Sequence, residues 1–108
     1  MPNVTIFVQQ GRMPQELERE KITADISDLC TGVLKAAPDK VHIIYVEVLR
    51  GRGNPAYVEV KYRLETFRTP PIMQEFLTGV DAALVSHAGL KSRIRCFGYG
   101  AEAIYAKS

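Results

Sequence analysis

At 108 residues the chain has room for one hydrophobic core and not for two. A formal charge of +2 with 24% charged residues describes an ordinary globule and gives no ground for a nucleic-acid or membrane-surface protein. No apolar run nears the roughly 20 residues of a membrane span, and the N-terminus has no signal-peptide pattern, so a cytoplasmic protein is expected. Cys30 and Cys96 stand alone, without a C-x-x-C or a histidine spaced to share a metal. Two buried, reduced thiols are expected, with no disulfide and no metal.

Val4 to Val8 alternates as a strand until Gln9-Gln10-Gly11 stops it. Pro14 stands where a helix takes its first proline, and Glu16, Glu18 and Glu20 load the early turns near the positive end of the helix dipole. Ile22, Ile26, Leu29, Cys30, Val33 and Leu34 form one apolar stripe, which predicts a long helix ending near Ala37-Pro38. Val41 to Leu49 is β-branched and apolar on both sides, the pattern of a strand buried on both faces. Gly51 to Pro55 is the one clear Gly/Pro break, close to mid-chain.

The second half repeats the plan. Tyr57 to Leu64 alternates as a strand, and Thr69 reads as an N-cap ahead of Pro70-Pro71. Ile72, Phe76, Val80, Ala83 and Leu84 make a helical stripe that Gly89 closes, and Ser92 to Tyr99 is the last strand. The expected domain covers residues 1–108: a first β-α-β unit over 2–50, a second over 56–100 and a short tail. In each unit the strands should be parallel. The result is an α/β (α+β) fold, a four-stranded mixed sheet with both helices on one face. Val4, Ile6, Phe7, Ile43, Ile44, Val46, Val58 and Val60 offer more apolar strand surface than two helices cover, so a homo-oligomer is expected. Gly11-Arg12-Met13-Pro14 and Phe67-Arg68-Thr69-Pro70 each set an arginine two residues before a proline at the strand-to-helix junction, as an internal duplication would.

Met1-Pro2 opening a strand, then Gly11-Arg12 to Glu16 with Lys21, then Val41 to Val48, resembles the tautomerase superfamily. The likeness is to 4-oxalocrotonate tautomerase over roughly the first 50 residues, and in doubled length to fused members such as macrophage migration inhibitory factor. It implies a trimer, a small carboxylate-bearing substrate, no cofactor, and a catalytic N-terminal proline exposed when Met1 is removed. On the resemblance that residue is Pro2. A free α-amine has a pKa near 8, and a nearby arginine or a dry pocket lowers it toward the range where a general base works.

Arg12 matches the family's carboxylate-binding arginine, a guanidinium that grips a carboxylate bidentately at any working pH. Arg68 is its counterpart in the second half. His42 departs from the pattern: the family's second substrate arginine falls there, and Arg93 in the last strand stands in a similar place to supply the lost charge. The implied activity is enol–keto interconversion of a small 2-oxo acid. Two other readings are a tautomerase-like binding or assembly module without catalysis, and an RNA-recognition-type binder, whose third-strand motif Gly53 to Val60 faintly resembles. Against the latter, Pro55 occupies an aromatic position of that motif, so a nucleic-acid partner is not expected.

Overall fold

The computed structural model describes all residues, Met1–Ser108. The elements are β1 (Asn3–Gln9), α1 (Glu16–Gly32), β2 (His42–Val48), β3 (Ala56–Arg63), α2 (Pro70–Ala88) and β4 (Ser92–Tyr99), with 3-10 turns at Pro38–Lys40 and Ala101–Ala103. The strands form one sheet in the order β2-β1-β3-β4. β1 runs parallel to β2 and β3 parallel to β4, while the central pair β1–β3 is antiparallel. This is the expected mixed sheet.

The core lies between the sheet and the helices. Val4, Ile6 and Val8 of β1 and Ala56, Val58, Val60 and Tyr62 of β3 are buried; their alternate neighbours are not. Ile22, Ile26 and Cys30 of α1 and Phe76, Val80, Ala83 and Leu84 of α2 close over them. Each fully buried large side chain adds roughly 1.5–3 kcal/mol. Gly79 sets how closely the helices pack, because a Cβ there would stand 2.6 Å from a Leu29 methyl carbon. No helix is long and apolar enough to cross a membrane.

Several local expectations are corrected. Pro14 precedes α1, which starts at Glu16 with the Gln15 N–H donating to the Glu18 carboxylate at 2.9 Å. The helix also stops early, at Gly32, and Val33 and Leu34 extend its stripe beyond the regular turns. Lys35 then adopts a left-handed backbone, φ 55°, where the second half uses Gly89, φ 60°. The residue after each donates six residues back, Ala36 to Cys30 and Leu90 to Leu84. The duplication therefore extends to the helix ends, which the sequences of those ends conceal.

β2 is covered on one face only, and as an edge strand it leaves Ile44 exposed. Val4, Ile6, Val58 and Val60 face the helices, so they add nothing to the open side. That side carries Phe7, Ile44 and Val46, with Phe7 stacked on Tyr57 at 5.8 Å. Cys30 is buried as expected but Cys96 is only partly so; both are free thiols, pushed up by burial to about 11.

Candidate active site

Chain direction decides which residues can meet. A parallel β-α-β unit brings the chain back to the end where its first strand began. The start of β1, the end of α1 and the start of β2 therefore share one end of the sheet. Because β3 is antiparallel to β1, the end of β3, the start of α2 and the end of β4 arrive there too. Pro2, His42 and Arg68 are gathered at that end. Arg12 and Arg93 are not.

Pro2 is buried immediately before β1, and its carbonyl accepts a hydrogen bond from the His42 backbone N–H at 3.1 Å. Met1 stands between two cavities. One, about 300 Å³, is lined by Lys35, Lys40, Arg63, Phe67 and Arg68. The other, about 680 Å³, is lined by Asn3, Lys40, His42, Arg63 and Tyr105. Both volumes suit a small ligand. The α-amino group is held below its usual range: burial is the largest cause, then repulsion from Lys40, Arg68 and Arg63, with Asp39 opposing.

Arg68 is half-buried at this end, its Nε donating to the Leu34 carbonyl at 3.0 Å and its Nη1 to the Arg63 carbonyl at 2.7 Å. Its guanidinium carbon lies 5.2 Å from the Phe67 ring centroid, a cation–π contact. These ties fix the group rigidly but spend part of its donor fork on the backbone. His42 is exposed on the open face, opposite Asn3.

Lys35, Lys40 and Arg63 escaped the sequence reading. None sits in a motif; each lies where an element ends or begins, and only the return of the chain to the start of β1 marks them. Glu65 and Asp39 are the acids nearby. His87, in the last turn of α2, meets Asp25 of α1 across the outer face at 2.7 Å.

Arg12 and Arg93 lie at the opposite end. Arg12 follows β1 in a tight turn, its N–H donating to the Gln9 carbonyl at 2.9 Å. Arg93 pairs with Tyr57, which sits beside Phe7 near the end of β1. Seven residues of β1 separate this end from Pro2, about 20 Å at a strand's rise. Both arginines are exposed, and neither has a carboxylate partner. Gln9 Oε1, at this end too, is buried without a hydrogen-bond partner.

No protein-family model matches the sequence, and no curated protein matches it. Solved structures do match. The crystal structure of native Ps01740 covers 95% of this chain and 98% of its own at 13% identity, with a TM-score of 0.78. The macrophage migration inhibitory factor-like protein EhMIF from Entamoeba histolytica covers 98% and 95% at 12% identity, TM-score 0.77. A fused 4-OT, solved as a symmetric trimer, covers 90% and 85% at 16% identity, TM-score 0.70. The fold is the one these structures share. With two β-α-β units in one chain, it takes the form seen in the fused 4-OT structures.

Proposed function

We propose that the chain is a cofactor-independent tautomerase that interconverts the enol and keto forms of a small 2-oxo carboxylic acid, with Pro2 as general base and acid once Met1 is removed. The observation that carries this reading is the convergence of Lys35, Lys40, Arg63 and Arg68 around Met1, the residue just before a buried proline at the start of a strand. A free amine at Pro2 would sit one residue deeper than the Met1 amine, among the same cations. Burial and like charge both disfavour its protonated form. It would take the enol hydroxyl proton and return it to the neighbouring carbon, while the cations hold the carboxylate and the developing enolate.

Arg12 and Arg93 fit the same reading only across copies. A head-to-tail ring sets the Arg12 end of one copy against the Pro2 end of the next, and a closed ring of this kind agrees with the symmetric trimer of a fused 4-OT. Leu64, Phe67, Phe97 and Tyr99, exposed at the Pro2 end, supply apolar surface for that contact. A second reading, an assembly module without catalysis, draws on the two Arg68 donors already bound to backbone carbonyls. Turnover of phenylenolpyruvate by protein beginning at Pro2 separates the two. We expect turnover, and a fall to background when Met1 is retained, because an amide nitrogen takes no proton. Equal rates with and without Met1 exclude Pro2 as the base.

A further inference from the structure

The larger of the two cavities has a wall that the proposed chemistry leaves unused. After β4 the 3-10 turn Ala101–Ala103 reverses the chain, held by Ala103 N–H to the Gly100 carbonyl at 2.9 Å and Ile104 N–H to the Ala101 carbonyl at 3.2 Å. Ile104 is half-buried and leaves the turn in extended backbone. From there Tyr105 to Ser108 runs along the Pro2 end, facing Asn3, Lys40, His42 and Arg63 across the cavity. Beyond Ile104 no hydrogen bond, backbone or side-chain, ties the tail to the body. Tyr105 is 90% exposed, so almost none of its surface is committed to packing.

We infer that residues 105–108 are the movable wall of the acid-binding site, and that Tyr105 and Lys107 close onto a bound 2-oxo acid from the side opposite Lys40 and Arg63. This rests on the acid-binding reading given above. All four residues of the segment line the cavity, and Tyr105 and Lys107 are the two whose side chains end in hydrogen-bond donors long enough to reach across it. The pair adds what the fixed wall lacks: a neutral phenol donor suited to a keto or enol oxygen, and an ammonium free to follow the carboxylate. A segment with no hydrogen bonds to break closes cheaply, and Ile104 is its anchor.

The test is the affinity of phenylpyruvate, measured by calorimetry, for the full chain, for a variant lacking residues 105–108, and for Tyr105→Phe and Lys107→Ala. Removing the segment should weaken binding roughly tenfold, and each single change a few-fold. With phenylenolpyruvate as substrate the losses should fall on KM more than on kcat. Saturating phenylpyruvate should also slow carboxypeptidase trimming of the full chain. A shortened variant that melts like the full chain and binds within twofold of it overturns the inference, as does trimming of the full chain that saturating phenylpyruvate leaves unchanged. If the full chain binds no phenylpyruvate, the acid-binding reading fails and this inference with it. If Pro2→Ala loses turnover while the shortened variant binds normally, the tail inference alone is wrong.

Discussion

Arg68 has a structural task that can be separated from any role with substrate. Its Nε–Leu34 contact, 3.0 Å, joins the end of α1 to the β3–α2 loop, and its Nη1–Arg63 contact, 2.7 Å, closes that loop on itself. The first is half-buried and the second exposed to water. Hydrogen bonds from a charged donor contribute about 1.5–3 kcal/mol when well shielded and less when solvated. Arg68→Ala should therefore cost about 2 kcal/mol, a fall in Tm of roughly 8–12 °C for a chain of this size. Melting by circular dichroism must be done at one protein concentration, because assembly makes Tm depend on it. Arg68→Lys keeps the charge without the planar fork, so it should lose most of the stability and keep part of the acid affinity. If Arg68→Ala melts within about 2 °C of the parent, the two backbone contacts are not worth the sum assigned to them.

Gly89 closes α2 at φ 60° with nothing within 4 Å of its missing Cβ, so Gly89→Ala tests backbone strain alone and should cost about 1–2 kcal/mol by chemical denaturation. Lys35 holds the matching conformation without being glycine; Lys35→Gly relieves it but frees the unfolded chain, so stability should move by no more than about 0.5 kcal/mol while acid binding weakens. Cys30, raised to about 11 from 9.0 by burial, keeps its full contribution to stability below pH 9 and loses it as pH rises toward 11, because the unfolded thiol ionises first. Cys96 is raised in the same way, so the Cys30 share, about 2 kcal/mol over that interval, is read by denaturant titration as the difference between the parent's loss and that of Cys30→Ala, and equal losses in the two would show that Cys30 contributes nothing to it.

The strand and helix order was legible because period-two and helical stripes alternate cleanly, and because Pro70 and Gly89 punctuate α2 in the usual way, with Thr69 at the N-cap position though its side chain makes no capping bond. The end of α1 was not legible. Leu34 keeps the helical apolar spacing, so the stripe runs on unbroken in the sequence, yet Leu34 is buried by packing just past the last regular turn. The left-handed turn at Lys35 has no glycine to announce it. Burial of β2 was overread, since a β-branched run looks the same at an edge as in the centre and only strand order tells them apart. In the candidate site, Pro2, Arg12 and Arg68 stood out through short local patterns. Lys35, Lys40 and Arg63 did not, because their nearness to the N-terminus follows from strand direction alone.

Strand direction also yields the most demanding prediction, since Pro2 and Arg12 stand about 20 Å apart along β1. One chain cannot bring them to a single small substrate, whereas two neighbours in a ring can. Pro2→Ala and Arg12→Ala should each lose most of the activity when assembled alone. Each for its own reason impairs every site: the first exchanges the rigid ring amine for a mobile primary amine, and the second removes the acid clamp. Unfolded together in equal amounts and refolded, the two variants form mixed rings. A site is intact when the copy supplying the amine carries Arg12→Ala and the neighbour supplying the arginine carries Pro2→Ala. Each condition holds half the time, so about a quarter of the parent activity should return. Native mass spectrometry would verify that mixed rings have formed. Mixed rings no more active than the two variants measured separately would mean that Arg12 serves no neighbour's amine, and the head-to-tail arrangement of the site would have to be abandoned.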